Sequence, residues 1–169
     1  YNMQYTTMYQ SPIGEIFLTA DEIGLTGLWF DTEKFYTDSF EKGYEKKEVP
    51  IFGAAKKWLD IYFSGQKPEF VPKMHISGSS FQLSVWKLLR QIPYGETTTY
   101  GELAKMVAKE RGISRMSAQA IGGAVGHNRI SIIIPCHRVI GSNGNLTGYA
   151  GGLDKKKKLL LLEGVDIEI

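Results

Sequence analysis

The spacing of apolar residues changes near the middle of the chain, and this change constrains the fold more than any other feature. Residues 4–9, 15–20 and 25–30 read as strands, and the turn-forming residues between them predict an antiparallel meander. Beyond Ser80 the apolar residues recur at helical spacing instead. We therefore predict an α+β protein, with a small N-terminal α/β part followed by a helical part.

A helix is predicted to cover the meander. Pro50 suits the first turn of a helix, and the residues after it place an apolar stripe on one face. Residues 64–68 end this helix, and the Pro, Gly and Ser content that continues to Ser80 is typical of a linker. We place the domain boundary there, which gives domains of residues 1–76 and 77–169. The apolar stripe consists of Ile51, Ala55, Trp58, Leu59 and Tyr62.

Helix start signals organise the second domain. Ser79-Ser80-Phe81-Gln82 and Thr99-Tyr100-Gly101-Glu102 both have the spacing of a capping box. A third helix is predicted over residues 117–126, and the last over residues 154–163, where Gly164 follows as a stop signal. Because only a short link separates the second and third of these helices, we predict a helix-turn-helix.

Two adjacent glycines, Gly122 and Gly123, lie inside the third predicted helix, where each costs about 1 kcal/mol relative to alanine. One interpretation is close packing against another helix, which small residues permit. The other is a bare helix face that lets a bulky ligand such as a DNA groove approach the backbone. The pattern alone slightly favours helix packing.

The two parts of the chain differ in charge. Residues 1–75 carry 8 basic and 11 acidic side chains, whereas residues 76–169 carry 12 and 7. A basic second part suggests a polyanionic partner, although Lys155 to Lys158 supply most of the excess and alone are better interpreted as a solvated helix face. No segment approaches the roughly 20 apolar residues that span a bilayer. We expect a cytoplasmic protein that does not bind membranes.

The chain has one cysteine, Cys136, which follows the apolar run 131–134, interpreted as a strand, and Pro135. Cysteine acts as a nucleophile when a positive charge or a base favours its thiolate, and His137 and Arg138 come next in the sequence. Neighbours in an extended segment point to opposite sides, so a bridging water between sulfur and imidazole is expected. Glu163 is the best candidate to orient the imidazole.

Two other interpretations of this motif remain open at this point. Cys136 is equally compatible with a small buried hydrophobe, and His137 with a loop residue whose hydrogen bonds are satisfied. A metal site is disfavoured, because His75, His127, His137 and the single cysteine lack the ligand spacing of a zinc site. We expect neither a metal nor another cofactor.

Several ordered motifs together resemble one family, the O6-alkylguanine-DNA alkyltransferases or methylated-DNA–protein-cysteine methyltransferases. The central motif is Ile134-Pro135-Cys136-His137-Arg138-Val139, with Asn128 before it and residues 146–153 after it. The resemblance extends over nearly all of residues 79–169, including residues 92–96 and 120–124. Residues 1–75 resemble the family mainly in the general arrangement of their predicted elements.

The resemblance implies a ribonuclease H-like N-terminal domain and a C-terminal winged helix-turn-helix domain that enters the minor groove of duplex DNA. It implies a monomeric enzyme that repairs O6-alkylguanine in one irreversible turnover, with O4-alkylthymine as a further candidate substrate. The damaged base is flipped out of the stack, because a side chain cannot reach its reacting atom inside the duplex. Cys136 then takes the alkyl group.

The resemblance also assigns roles to residues of this chain. His137 matches a water-mediated base, Glu163 the carboxylate that orients it, and Asn128 the amide that holds the active-site turn. Tyr100 matches a tyrosine that assists the leaving guanine and rotates the target phosphate. The remaining residues expected to contact DNA or the guanine are Arg115, Gln119, Gly122, Gly123, Arg138, the Val139 carbonyl, Tyr149 and Ala150.

One departure from the family pattern concerns DNA binding. Gln119 stands where many relatives have an arginine that fills the gap left by the flipped base, and the segment between Tyr100 and Gln119 is longer. Gln119 can still act as a neutral wedge but lacks cation stacking and phosphate attraction, which Arg115 could partly restore. Two other activities remain open: that of a non-catalytic lesion-binding protein, against which Cys136 argues, and that of a cysteine hydrolase that uses Cys136, His137 and Glu163.

Overall fold

The computed structural model describes residues 3–31 and 44–167. The chain divides into two compact units, one made of Tyr1–Ser77 with Ala150–Gly152 and the other of Gly78–Tyr149 with Leu153–Ile169. The segment Ala150–Gly152 belongs to the first unit although it lies in the second half of the sequence. Within the described residues, no helix has the length and apolar character required to cross a membrane.

A four-stranded sheet forms the first unit and confirms the predicted meander. Strands β1 (Tyr5–Ser11), β2 (Gly14–Ala20) and β3 (Leu25–Phe30) pair antiparallel, and the short β4 (Glu45–Lys46) pairs parallel with β1, in the order β3-β2-β1-β4. Polar side chains close both hairpins: the Ser11 hydroxyl donates to the Gly14 carbonyl at 2.6 Å, and the Asp21 carboxylate accepts from the Gly24 amide at 3.0 Å.

Helix α1 (Pro50–Phe63) packs against the strands of this sheet and has proline at its start, as the sequence predicted. Its buried face differs from the predicted stripe at one position, because Phe52 is fully buried whereas Ile51 is half-buried. The other four stripe residues are buried, and they close the core of the unit.

The second unit consists mainly of four helices, three of which begin at side-chain caps. Ser79 forms a complete capping box with Gln82 at the start of α2 (Ser80–Leu89), and the Thr99 and Ser117 hydroxyls accept backbone N–H bonds at the starts of α3 and α4. Helix α3 spans Tyr100–Glu110, α4 spans Ala118–Gly126, and α5 spans Leu153–Leu162.

Helices α3 and α4 pack on each other and on α2, and this arrangement agrees with the predicted helix-turn-helix. Helix α4 buries Ile121, Ala124 and Val125, and the Trp86 indole of α2 donates to the Ala124 carbonyl at 2.9 Å. This bond satisfies a buried indole N–H and fixes which face of α4 points into the core. The opposite face of α4 is therefore directed outward.

A two-stranded parallel sheet joins the start of α3 to the segment that contains the cysteine. Strand β5 (Thr98–Thr99) pairs with β6 (Val139–Ile140), with Thr98 opposite Val139. Tyr100, the first residue of α3, directly follows β5, and Cys136 to Arg138 directly precede β6. This pairing brings two sequence-distant parts of the predicted site to the same end of the unit.

Candidate active site

The segment before the cysteine is a tight turn, and the prediction that residues 131–134 form a strand is wrong. Ile132 has φ of 70°, a left-handed conformation that is costly for a β-branched residue. The turn is held by the Asn128 side chain, whose Nδ2 donates to the Ile134 carbonyl at 2.8 Å while its Oδ1 accepts from the Ile130 amide at 3.1 Å. Asn128 thus has the geometry that its expected role requires.

Cys136, His137 and Arg138 form one turn of 3₁₀ helix, which corrects the expectation of an extended segment. Successive side chains in such a helix are about 120° apart, so the sulfur and the adjacent imidazole still point in different directions. Cys136 is 6 % exposed, whereas His137 is completely buried. Cys136 thus keeps a small exposed surface, whereas the imidazole is shielded from bulk water.

His137 and Glu163 form the closest ionisable pair of the site. The imidazole Nε2 lies 2.5 Å from Oε2 of Glu163, and both side chains are fully buried. Burial lowers the pKa of His137 despite the opposing effect of the carboxylate, so the imidazole is neutral at pH 7. Burial disfavours the charge of Glu163, but hydrogen bonds from His137 and Arg138 and the positive charge of Arg138 outweigh it and lower the pKa of Glu163 to about 2. An ionised Glu163 can only accept, so the neutral imidazole carries its proton on Nε2.

Arg138 was expected to contact DNA, and the structure corrects this. Its side chain is buried, and it donates through Nε to Oε1 of Glu163 at 2.8 Å and through Nη2 to Oε2 at 3.2 Å. Its Nη1 donates to the Ile92 carbonyl at 2.7 Å. The guanidinium is directed into the protein because it compensates the buried carboxylate.

Lys156 is a site residue that the sequence analysis missed, since residues 155–158 were interpreted as a solvated face. Lys156 is completely buried, and its ammonium donates to the carbonyls of Val139 and Thr147, both at 2.6 Å. Burial lowers its pKa to about 8, and attraction to Cys136 acts in the opposite direction. The helical spacing could have revealed it, because Lys156, Leu159, Leu160 and Glu163 share one face of α5.

The Val139 carbonyl, which was expected to form part of the guanine pocket, contacts this lysine. The Val139 carbonyl accepts the bond from Lys156, and a carbonyl oxygen has a second lone pair for another donor. The loop that leads to half-buried Tyr149 and exposed Ala150 is held at Thr147 by the same ammonium. Tyr100 approaches the loop as well, with its hydroxyl 3.4 Å from the Thr147 carbonyl and its ring centroid 6.0 Å from the ammonium of Lys156.

The glycines of α4 lie on its outward face, and the interpretation that they permit helix packing is wrong. A Cβ added to Gly123 would have no neighbouring atom within 4 Å, and one added to Gly122 would meet only the Tyr100 ring, at 4.0 Å. Exposed Gln119 and Gly126 share this face, since residues 119, 122, 123 and 126 follow helical spacing. The result is a smooth, open helix surface beside Tyr100.

Arg115 is exposed and lies before the Ser117 cap, not in the helix itself. Together with Lys105 of α3 it lines a cavity of about 460 Å³ between α3 and the link that leads to α4. Two cations therefore stand close to the end of α4 that carries Gln119. Among the described residues, no group of three or more His, Cys, Asp or Glu side chains is arranged to hold a metal ion.

Two family models match the chain, one for each unit. The model described as 6-O-methylguanine DNA methyltransferase, ribonuclease-like domain, matches residues 4–72, and that described as 6-O-methylguanine DNA methyltransferase, DNA binding domain, matches residues 80–165. These matches confirm the predicted fold class of a ribonuclease-like domain followed by a helical DNA-binding domain.

Named relatives and solved structures cover nearly the whole chain. The methylated-DNA–protein-cysteine methyltransferase of Methanosarcina acetivorans is 45% identical over 168 residues, which are 95% of this chain and 98% of that protein. The crystal structure of Mycobacterium tuberculosis O6-methylguanine methyltransferase is similar with a TM-score of 0.82 and 39% identity, over 95% of this chain and 93% of that one. The structure of Mycobacterium tuberculosis OGT in complex with DNA has the same TM-score and identity, over 94% and 92%.

Proposed function

The chain belongs to the 6-O-methylguanine DNA methyltransferase family, and we propose that Cys136 is the residue that receives the alkyl group. The protein is a DNA-repair enzyme that transfers an alkyl group from DNA to a cysteine of its own chain. The observation that most strongly supports Cys136 is the position of this single cysteine, directly before a buried imidazole that contacts an ionised carboxylate. The substrate is duplex DNA that contains O6-alkylguanine.

The damaged guanine leaves the base stack before it reacts. Cys136 is only 6 % exposed, so the sulfur can meet a single extruded base but not a base inside a duplex. The Val139 carbonyl and the backbone near Tyr149 receive the guanine. Lys156 supports this pocket, because it joins the Val139 strand to the loop at Thr147.

A proton relay activates the thiol. Nε2 of His137 donates to Glu163, which leaves the lone pair of the neutral ring on Nδ1. Nδ1 accepts the thiol proton through a bridging water, because neighbouring side chains in a 3₁₀ helix diverge. Glu163 orients the ring and stabilises the imidazolium that forms, the role that a carboxylate has in other nucleophile–base–carboxylate systems.

The thiolate then attacks the alkyl carbon of the guanine. A sulfur–carbon bond forms, the carbon–O6 bond breaks, and the electron pair of the broken bond remains on the guanine. The guanine takes up one proton from the Tyr100 hydroxyl. The imidazolium then releases the proton that came from the thiol, and this proton restores the Tyr100 hydroxyl. No group described at the site removes the alkyl group from the thioether, so each protein molecule reacts once.

The outward face of α4 approaches the minor groove. The bare surface at Gly122 and Gly123 lets the helix backbone come close to the DNA, and Gln119 on the same face fills the space of the flipped base. Arg115 and Lys105 add positive charge for phosphate contacts at the adjacent link. We further propose that the protein acts as a cytoplasmic monomer, with its domain boundary near residue 77.

Mass spectrometry after incubation with duplex DNA tests the proposal. A duplex that contains one O6-methylguanine should add one methyl group to the peptide that contains Cys136, and the matching undamaged duplex should add nothing. Cys136→Ala should abolish transfer and retain most of the DNA affinity, because phosphate contacts supply most of it. An unmodified Cys136 peptide after complete incubation of the wild type would contradict the proposal.

Counting turnovers separates the alternative activities. Transfer that stops at one equivalent per protein supports repair, whereas repeated release of product from a small ester or amide would indicate a hydrolase. Binding of the lesion without modification of any peptide would indicate a lesion-binding protein.

A further inference from the structure

Arg138 occupies a position that the reaction described above does not explain. It follows the nucleophile and the base in the sequence, yet its guanidinium is buried and binds the carboxylate behind the base. The two contacts, Nε to Oε1 at 2.8 Å and Nη2 to Oε2 at 3.2 Å, engage both oxygens of Glu163. Bidentate contacts of this kind fix a carboxylate in orientation as well as in position.

The Glu163 carboxylate is fully occupied by donors. Oε1 accepts from Arg138 and from the Gly95 amide at 2.9 Å, while Oε2 accepts from Arg138 and from His137. A carboxylate has about four lone-pair sites, so these four contacts use its capacity. A proton that moved to Glu163 would have to displace one of these donors, and arginine cannot lose its own proton in exchange.

The guanidinium is itself anchored to the turn between α2 and β5. Its Nη1 donates to the Ile92 carbonyl at 2.7 Å, and the Tyr94 ring lies over it with the centroid 5.8 Å away. Gly95 of the same turn has φ of 80°, and a Cβ there would lie 3.2 Å from the Glu163 carbonyl. The turn therefore supplies both the anchor for Arg138 and the amide that binds Glu163.

We propose that Arg138 is a positioning residue for alkyl transfer: it holds Glu163 so that His137 keeps its proton on Nε2 and accepts the thiol proton on Nδ1. This inference rests on the proposed function. The proton from Cys136 then stays on the imidazole and does not pass to the carboxylate. Arg138 acts through Glu163 and does not touch the substrate.

The charges around His137 determine the pH response. The titratable and charged groups of the elements that meet at this site are Cys136, Arg138, Glu163 of the segment after α5, Lys156 of α5 and Tyr94 of the turn after α2. Positive charge on Arg138 disfavours a second proton on the imidazole, as does that on Lys156, whereas Glu163 favours it. Removing the guanidinium should therefore make His137 easier to protonate.

Arg138→Met tests the inference through two measurements. The single-turnover rate of methyl transfer from O6-methylguanine duplex DNA is followed from pH 5 to 9, and the ring nitrogens of ¹⁵N-labelled His137 are followed by NMR without DNA. We expect the acidic limb of the rate profile and the protonation of His137 to move together to higher pH, by about one unit or more. Arg138→Lys should reverse part of this shift, because it restores the charge without the bidentate contact.

The control is Arg111→Met. Arg111 binds the Ser84 hydroxyl at 3.2 Å and lies 5.7 Å from the centroid of the Phe81 ring, outside the site, so its loss should leave both pH profiles unchanged. If Arg138→Met slows transfer equally at every pH and leaves His137 protonation unchanged, the inference is wrong.

Arg138→Lys keeps the test decisive even if Arg138→Met does not fold. We expect it to show a mixture of the two neutral tautomers of His137 by NMR, and a single Nε2-protonated form would overturn the inference. Because the NMR measurement needs no DNA, its result is independent of the proposed function, whose failure would appear as absent transfer by the wild type.

Discussion

The side-chain amide of Asn128 donates to the Ile134 carbonyl at 2.8 Å and thereby closes the turn that immediately precedes Cys136. The same side chain accepts from the Ile130 amide, so one residue satisfies two buried backbone groups. The turn contains Ile132 in a left-handed conformation, which persists only where surrounding contacts enforce it. Asn128 is thus the main polar support of the backbone around Cys136.

Asn128→Ala should destabilise the protein and slow transfer. Loss of the amide leaves the buried Ile130 N–H without this acceptor, which costs about 1–3 kcal/mol, whereas the Ile134 C=O still accepts from the Cys136 backbone amide at 2.8 Å. Chemical denaturation should therefore show a loss of about 1–3 kcal/mol in the free energy of unfolding. Asn143→Ala is the matched control, because Asn143 is exposed and accepts one loop bond at 3.2 Å. Equal losses in both variants would contradict this role of Asn128.

The His137–Glu163 pair should make the protein less stable in acid. The unfolded chain protonates histidine near pH 6.5 and glutamate near pH 4.5, whereas the folded protein resists both because the two pKa values are lowered. Stability should then fall as the pH drops below 6.5, and fall further between pH 4.5 and about 2. The contribution of Glu163 is on the order of 2–3 kcal/mol.

When unfolding is measured across this pH range, Glu163→Gln should lack the steeper loss of stability below pH 4.5. Glu102→Gln provides the control, since Glu102 is exposed and its oxygen lies 3.9 Å from the Lys105 ammonium. An acid profile of Glu163→Gln that matched the wild type would refute the assignment of the buried charge.

Substitutions at Gly123 should separate folding from DNA binding. Gly123→Ala should raise the free energy of unfolding by about 0.5–1 kcal/mol, because the added Cβ meets no atom within 4 Å and alanine favours the helix. Gly123→Leu should fold equally well but weaken DNA binding by about tenfold or more, since the leucine would project from the face that we propose meets the groove.

The matched control is Gly53→Leu in α1, where an added Cβ also has no neighbour within 4 Å. Fluorescence anisotropy with labelled duplex DNA and thermal unfolding measure the two properties separately. The DNA-binding assignment of this face would fail if Gly123→Leu bound DNA as tightly as Gly53→Leu.

Gln119→Arg should strengthen DNA binding and make it more sensitive to salt. One added phosphate contact increases the slope of log affinity against log salt by about 0.9. Binding titrations at several salt concentrations test this, with Gln66→Arg as the control because Gln66 is exposed in the other unit. The same change of slope in both variants would indicate a general charge effect and not a contact at position 119.

Lys156→Met should change the stability of the protein in alkali. The folded pKa of Lys156 is lowered from 10.5 to about 8 by burial, so the unfolded state binds more protons between these values. Wild-type stability should therefore gain a contribution as the pH rises from 8 to 10.5, and Lys156→Met should lack it. Lys158→Met, which replaces an exposed lysine of the same helix, should behave like the wild type.

Much of the fold was predictable because the decisive interactions are local in the sequence. The Ser11 and Asp21 side chains close their hairpins within three residues, and Ser79 and Thr99 cap helices through amides three residues later. Contacts of this range depend only on residue type and spacing. The motif around Cys136 similarly identified the family, and the resemblance to that family matched Glu163 to the carboxylate that orients His137.

The directions of the buried charges were decided by the tertiary structure. Arg138 was expected to face DNA and Lys156 to face solvent, yet the first binds Glu163 and the Ile92 carbonyl and the second binds the Val139 and Thr147 carbonyls. These partners are up to 46 residues away in the sequence, so no local sequence pattern predicts them. Once the chain has folded, a buried charge must face whatever opposite charge or carbonyl lies within reach, because burial without such a partner is too costly.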